Sequence, residues 1–325
     1  MSRPEILMPG RMLKSVNDAL DQRFTVHRLY ELADREPLLA EVAPRIRAIA
    51  CGGGGPIIDK ALIDRLPALE IVANFGVGYD NVDAKYAATK GIIVTNTPDV
   101  LTEEVADTAL GLLLNTVREF PQAERYLRAG KWPRGPYPLT TGTLRDRTVG
   151  IVGLGRIGKA IARRLQAFDV PVVYHNRSPQ PDVSYRYYPD LITMAKEVDT
   201  IVSVLPGGAA TDKLIGRAVF DALGPRGIVV NIGRGTVVDE AALIEALTEK
   251  RILGAGLDVF EKEPQVPEAL IALENCVLLP HVGSASLYTR DAMGQRVIDN
   301  LTAWDEGKPP LSPVGETPFT GWKTK

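Results

Sequence analysis

The residues Thr148-Val149-Gly150-Ile151-Val152 form an apolar strand that runs into Gly153-Leu154-Gly155-Arg156-Ile157-Gly158, and Lys159-Ala160-Ile161-Ala162-Arg163-Arg164-Leu165 then reads as a helix. Between a strand and a helix, glycines at this spacing can cradle a pyrophosphate. Gly153 permits the tight turn, Gly155 lets the backbone come close to the phosphates, and Gly158 lets helix and strand pack together. The phosphates then lie on the helix N-terminus, where unpaired N–H groups and the helix dipole favour an anion. About twenty residues further on, a site for NAD carries an acid that bonds the ribose 2′-hydroxyl. Here the strand Val172-Val173-Tyr174-His175 ends in Asn176-Arg177-Ser178. Asn176 removes the charge that would repel a 2′-phosphate, Arg177 offers it a planar fork of donors, and Ser178 a hydroxyl. The predicted cofactor is therefore NADPH, with NADH as the weaker alternative. Three more apolar runs end in groups able to do chemistry: Ile228-Val229-Val230-Asn231-Ile232-Gly233-Arg234-Gly235, then Gly256-Leu257-Asp258-Val259-Phe260-Glu261-Lys262-Glu263-Pro264, then Val277-Leu278-Leu279-Pro280-His281-Val282-Gly283-Ser284. In an open α/β sheet ligands collect beyond the carboxyl ends of the strands. An arginine, a carboxylate and a histidine are expected to converge there.

The elements that must position these groups follow one pattern, short apolar runs alternating with helix-length amphipathic segments. That is the signature of parallel sheets with helices on both faces. Strands are expected at Glu5–Met8, Phe24–Arg28, Ile46–Ala50, Glu70–Asn74 and Ile92–Asn96, with a helix over Met12–Gln22. A long helix runs from Thr102 to Arg118, with Glu103 and Glu104 in its first turn suiting the dipole. The stretch Trp132–Asp146, rich in Pro, Gly and Thr, reads as an excursion over the surface. A second βαβ series spans Thr148–Leu279, a helix follows over Leu287–Asn300, and the Pro-rich end beyond Lys308 reads as irregular. The run Gly52-Gly53-Gly54-Gly55 is either a flexible turn or a backbone edge lying close to a small substrate. One domain is thus expected to be discontinuous, 1–99 plus 286–325, with a dinucleotide-binding domain, 100–285, inserted into it.

With 325 residues, 45% hydrophobic and 24% charged, the chain can bury a substantial core. A net charge of −2 gives no electrostatic reason to expect nucleic acid or a membrane surface as partner. Cys51 and Cys276 lack metal-ligand spacing and read as buried thiols of a reducing compartment, so no metal is expected. The N-terminal stretch has charges threaded through it, unlike a signal peptide, and no run approaches a membrane span. The expected location is the cytoplasm.

The sequence resembles the D-isomer-specific 2-hydroxyacid dehydrogenases, and within them the branch of NADPH-dependent glyoxylate and hydroxypyruvate reductases and plant hydroxyphenylpyruvate reductases. The resemblance rests on Phe75-Gly76-Val77-Gly78-Tyr79-Asp80, Asn96-Thr97-Pro98-Asp99-Val100-Leu101-Thr102, the glycine turn, Asn231-Ile232-Gly233-Arg234-Gly235, Leu257-Asp258-Val259-Phe260 and Pro280-His281-Val282-Gly283-Ser284. It implies two doubly wound α/β domains with parallel sheets, a Rossmann cofactor domain inserted into a flavodoxin-like substrate domain. It implies reduction of glyoxylate to glycolate, or of hydroxypyruvate to D-glycerate, and a homodimer. Arg234 would hold the substrate carboxylate or polarise its ketone. His281 would be the general acid, with Glu263 orienting the ring and favouring its charged form. The backbone N–H groups of Val77 and Gly78 would bind the substrate carboxylate, with Ser284 near the substrate. Asp258 would lie by the nicotinamide carboxamide and Ile232 against the ring. Arg156, Ile157, Leu205, Pro206, Gly233 and Gly283 complete the cofactor set.

Other readings stand beside these. Glu261 is a rival for Glu263, although the position before Pro264 favours the latter. His27 reads as structural, and His175 as a neighbour of the adenosine end. Trp132 is either a pocket residue donated to a neighbouring subunit or a surface anchor, and the helix from Thr102 is either a core or a dimer element. After Leu205-Pro206, where the family often has polar residues and Pro, stand Gly207-Gly208-Ala209-Ala210, which predicts a freer backbone there. A reductase of bulkier, aromatic 2-oxo acids is one alternative. A dinucleotide-sensing co-repressor without catalysis is another, since the fold alone does not exclude it.

Overall fold

A computed structural model describes residues 3–52 and 55–322. Gly53 and Gly54, and with them the centre of the four-glycine run, lie outside the described residues. The chain divides into two compact units, Met1–Leu101 with Ser286–Lys325, and Thr102–Ala285.

In the first unit the apolar runs form β1 (Glu5–Met8), β2 (Thr25–Arg28), β3 (Ile46–Gly52), β4 (Ile71–Phe75) and β5 (Ile93–Thr95). All pair in parallel in the order β2-β1-β3-β4-β5, the flavodoxin-like arrangement. Because β1, β3 and β4 are covered on both faces, they are apolar nearly throughout instead of alternating. One face packs the helices Glu36–Val42, Lys60–Asp64 and Ala84–Lys90 through Leu39, Ile63 and Ala87. The other carries Lys14–Arg23 and Leu287–Asp305, whose Val297, Leu301 and Trp304 join Ile6, Met8, Ile71 and Ala73 in one core.

That last helix runs five residues beyond the expected end at Asn300, because Ala303 and Trp304 are still buried. Trp304 lies against Phe24, and its indole N–H donates to Glu70 Oε2 at 2.7 Å. The end of the chain is irregular, as its prolines suggest, but it is not loose. Val314 N–H donates to Val94 O at 2.9 Å, and Val94 N–H donates to the Thr317 hydroxyl at 2.9 Å, so this segment caps the free edge of β5.

The second unit holds β6 (Val149–Val152), β7 (Val172–His175), β8 (Arg186–Tyr188), β9 (Thr200–Ser203), β10 (Ile228–Asn231), β11 (Gly254–Leu257) and β12 (Cys276–Leu278). Their order is β12-β11-β10-β9-β6-β7-β8, every neighbour parallel. Counted from β6 outwards, this is the Rossmann order with one strand added. The strand order reverses at β6, so the loops after β6 and β9 diverge and open a crevice. The helix Thr102–Val117 buries Ala106, Ala109, Leu112 and Leu113 and packs on β10, β11 and the helix Arg156–Ala167, which makes it a core element of this unit. Among the described residues no helix is long and apolar enough to cross a membrane, and no group of three His, Cys, Asp or Glu stands ready for a metal.

Candidate active site and cofactor cleft

The glycine turn leaves β6 at the reversal point. Gly153 has φ +102°, a conformation open to glycine, and its N–H donates to His175 O at 3.0 Å. A Cβ on Gly158 would lie 2.3 Å from Gly153 O, so only glycine lets the helix start this close to the strand. Gly155 is exposed, with no atom within 4 Å of where a Cβ would be. As N-cap of the helix Arg156–Ala167 it supplies no side-chain acceptor. The helix therefore starts without a side-chain cap of its own, and its dipole favours an anion at this end. The exposed surface beside Gly155, flanked by Arg156 and Ile157, fits a pyrophosphate.

At the end of β7 the Asn176 carbonyl Oδ1 accepts the Leu154 N–H at 2.7 Å, so the side chain in the acid's usual place braces the glycine turn. Arg177 and Ser178 are exposed, and the Arg177 guanidinium makes no hydrogen bond or ion pair among the described residues. His175 bonds the Tyr188 carbonyl of the next strand through Nδ1 at 2.9 Å. His27 is structural, with Nε2 on Glu5 Oε2 at 2.8 Å. The loop after Pro206 is less free than its glycines suggest. The Thr211 hydroxyl bonds Pro206 O at 2.7 Å and its N–H bonds Gly208 O at 3.0 Å.

The loops after β6, β9, β10, β11 and β12 lie side by side. A Cβ on Gly153 would touch Leu205 Cδ2 at 3.0 Å. One on Gly233 would meet Leu205 O at 2.5 Å, and one on Gly283 would meet Ile232 Cδ1 at 3.4 Å. Asn231 closes β10 and braces the arginine loop. Its Oδ1 accepts Gly233 N–H at 3.2 Å and its Nδ2 donates to Arg234 O at 2.8 Å. Fully buried, its amide must find such partners, and only the fold supplies them.

His281 stands at φ +54°, a costly conformation for a side-chain-bearing residue, of order 1–3 kcal/mol. Asp258 helps to hold it there. Its backbone O accepts the His281 N–H at 2.9 Å, and its carboxylate oxygens accept Val282 N–H at 2.7 Å and Gly283 N–H at 2.8 Å. Burial raises the Asp258 pKa, and those two N–H groups only partly offset it. The carboxylate expected beside the nicotinamide carboxamide is therefore also the clamp of the histidine loop.

Glu263, not Glu261, meets the histidine. Its Oε2 bonds His281 Nδ1 at 2.7 Å, while Oε1 accepts Phe260 N–H at 3.0 Å. Burial alone would raise the Glu263 pKa. The His281 and Phe260 bonds, with the charges of His281 and Arg234, outweigh it and hold the carboxyl below its ordinary value. An ionised Glu263 fixes the proton on Nδ1. Nε2 faces away from the pair and has no partner among the described residues. Arg234, His281 and Glu263 thus form one electrostatic group at the mouth of the crevice that starts at the glycine turn. Ser284 follows, half-buried and without a side-chain hydrogen bond among the described residues. In the other unit Val77 and Gly78 lie in the turn after β4, and neither N–H donates to a described residue.

Residues 110–283 match the model of the D-isomer specific 2-hydroxyacid dehydrogenase NAD binding domain. The chain is 48% identical over 309 residues to glyoxylate/hydroxypyruvate reductase A of Arabidopsis thaliana, covering 95% of this chain and 98% of that protein. To hydroxyphenylpyruvate reductase of Plectranthus scutellarioides it is 47% identical over the same length, with 95% and 98% covered. Among solved structures, it is similar to an NADPH-dependent glyoxylate/hydroxypyruvate reductase from Sinorhizobium meliloti in complex with NADP and malonate, at 53% identity, TM-score 0.94 and full coverage of both chains. With that match over more than half of its length and relatives this similar over nearly all of it, the chain belongs to the D-isomer specific 2-hydroxyacid dehydrogenase family.

Proposed function

We propose that the protein is an NADPH-dependent reductase of small 2-oxo acids, converting glyoxylate to glycolate and hydroxypyruvate to D-glycerate. The observation that carries this is the His281–Glu263 pair at 2.7 Å beside Arg234, in the same crevice as a phosphate-accepting glycine turn. The S. meliloti and Arabidopsis relatives, named for these substrates, support the substrate class. On this reading Thr102–Ala285 is the cofactor domain and the rest of the chain is the substrate domain.

Arg156 and Ile157 hold the pyrophosphate through their N–H groups, and Arg177 and Ser178 hold the 2′-phosphate. Leu205, Pro206, Ile232, Gly233, Asp258 and Gly283 border the nicotinamide end. A bound reduced nicotinamide supplies the hydride. Val77 and Gly78 bind the substrate carboxylate through their N–H groups, and Ser284 borders the substrate. Arg234 draws electron density toward the keto oxygen, and His281 Nε2 gives that oxygen its proton. Glu263 keeps its charge throughout, fixing the ring's orientation and offsetting the imidazolium before transfer. One hydride and one proton turn the ketone into the alcohol.

The test is NADPH consumption with glyoxylate in wild type, His281→Ala and Glu263→Gln. Loss of the general acid should cost roughly 10²–10⁴ in kcat, and loss of its charged partner less. Turnover by His281→Ala at the wild-type level sinks the acid assignment. A wild type that prefers phenylpyruvate to hydroxypyruvate in kcat/KM favours the aromatic reading.

We also assign the enzyme to the cytoplasm as a homodimer. The two buried free thiols suit a reducing compartment. Leu127 of the helix Phe120–Arg128, with Trp132 and Leu139 of the excursion, 55%, 66% and 98% exposed, offers apolar surface suited to a second copy.

A further inference from the structure

In a trans peptide the C=O and the following N–H point in opposite directions, so whatever holds a carbonyl also aims the next amide. The turn after β4 is held in this way. Gly76 O accepts Thr97 N–H at 2.9 Å, which turns the Val77 N–H outward. Among the described residues Val77 O has a single tether, the Asn96 Nδ2 donating at 2.9 Å, and that bond turns the Gly78 N–H outward. Gly78 O accepts Asn74 Nδ2 at 3.0 Å. Asn96 is itself fixed from behind: its backbone N–H donates to Ser312 O at 3.2 Å, and its backbone O accepts the Ser312 hydroxyl at 2.7 Å. Ser312 is in turn bonded by the buried Asn300, whose Nδ2 donates to the Ser312 hydroxyl at 2.9 Å. A half-buried carboxamide anchored on both sides of its own backbone thus spends a donor on one carbonyl of a turn whose Val77 and Gly78 N–H groups donate to no described residue.

We propose that Asn96 is a positioning residue for the substrate, orienting the Val77–Gly78 peptide so that the Gly78 N–H faces the substrate carboxylate. The inference rests on the reductase reading, and specifically on the carboxylate lying at this turn. Asn96 touches no reacting atom. Its effect is on how well an anion is recognised, and it should be invisible to the cofactor.

The test compares full-length wild type with Asn96→Ala and the volume-matched, donor-free Asn96→Leu. Both changes leave the backbone bonds to Ser312 in place and add no charge beside the anion, so both should fold. KM for glyoxylate should rise about ten-fold, the worth of one well-placed hydrogen bond, with KM for NADPH unchanged. The inhibition constant of oxalate should rise in parallel. The preference for glyoxylate over glycolaldehyde, which lacks the carboxylate, should fall by the same factor, a change that a general loosening of the fold does not produce. Wild-type KM for glyoxylate in both variants overturns the inference, as does an equal loss with glycolaldehyde. A wild type that does not reduce glyoxylate at all overturns instead the function on which it rests.

Discussion

Cofactor choice turns on two adjacent side chains whose surroundings set the size of the effect. Arg177 is exposed and has no hydrogen-bond or ion-pair partner among the described residues, so its truncation removes none of their contacts. A charge-assisted hydrogen bond contributes roughly 1.5–3 kcal/mol, and solvent at this edge places the value near the lower end. Arg177→Ala should then lower kcat/KM for NADPH about ten- to thirty-fold and leave NADH nearly untouched. Asn176→Asp acts by the opposite route. Its Oδ1 already accepts Leu154 N–H at 2.7 Å, and an aspartate keeps that bond. The second oxygen replaces an amide and puts a negative charge where the 2′-phosphate would lie. Two like charges about 4 Å apart repel by about 1 kcal/mol in water and more where partly shielded, so NADPH should lose another five-fold or more. NADH should gain, because an acid accepts from the ribose hydroxyls. The positions are neighbours, so the double variant need not show the product of the two factors. The assay is the initial rate of NADPH and NADH oxidation at saturating glyoxylate, at two ionic strengths, with the Arg177→Ala effect shrinking as salt is added. Equal losses with both cofactors in Arg177→Ala would refute the reasoning, since only one of them carries the phosphate.

Gly158→Ala should lower both the melting temperature and NADPH affinity, because its Cβ would lie 2.3 Å from Gly153 O. Gly155→Ala, with nothing within 4 Å, should lose affinity alone. Calorimetry with a fluorescence titration separates the two, and an unperturbed melting temperature in Gly158→Ala would contradict the packing. The buried Glu240, 7% exposed, accepts Glu261 N–H at 2.7 Å, and burial, with repulsion from Glu261 and Glu263, raises its pKa above the ordinary 4.5. The folded state then holds this proton more tightly than the unfolded chain. Stability falls as pH rises from 4.5 to the raised value and levels off above it. Glu240→Gln keeps the acceptor and should flatten that fall, raising the urea midpoint relative to wild type at neutral pH but not in acid. A loss confined to neutral pH would show that the charge itself stabilises the fold, and would refute the reasoning.

The glycine turn was legible because its meaning is local: strand, turn and helix stand within some twenty residues, and each glycine has a steric reason. The parallel, doubly covered character of both sheets followed from apolar runs too continuous for a surface strand, while the Rossmann and flavodoxin-like arrangement came only with the family resemblance. The asparagines were not legible in the same way. Asn74, Asn96 and Asn231 stand at or next to strand ends, where the residue type reads as a turn former. Only the fold brings Asn96 to the Val77 carbonyl, nineteen positions away. His175 was legible only in part: its place beside the Arg177 loop suggested a ligand contact, while the bond of its Nδ1 to the neighbouring strand is visible only in the fold. The chain end read as irregular and is so. Its bonds to β5 run through Thr317 and Val314, with no periodicity to announce them.

The split of the first unit across the chain has a consequence for synthesis. A ribosome completes β1–β5 long before it delivers Leu287–Asp305, while the whole of Thr102–Ala285 emerges between. Until Val297, Leu301 and Trp304 arrive, the sheet face bearing Ile6, Met8, Ile71 and Ala73 lacks half its cover. The inserted unit can therefore mature on the nascent chain, whereas its host must wait, sticky and unfinished, for the last few dozen residues. Early termination within the final helix would leave a ready nucleotide binder tethered to an aggregation-prone stub.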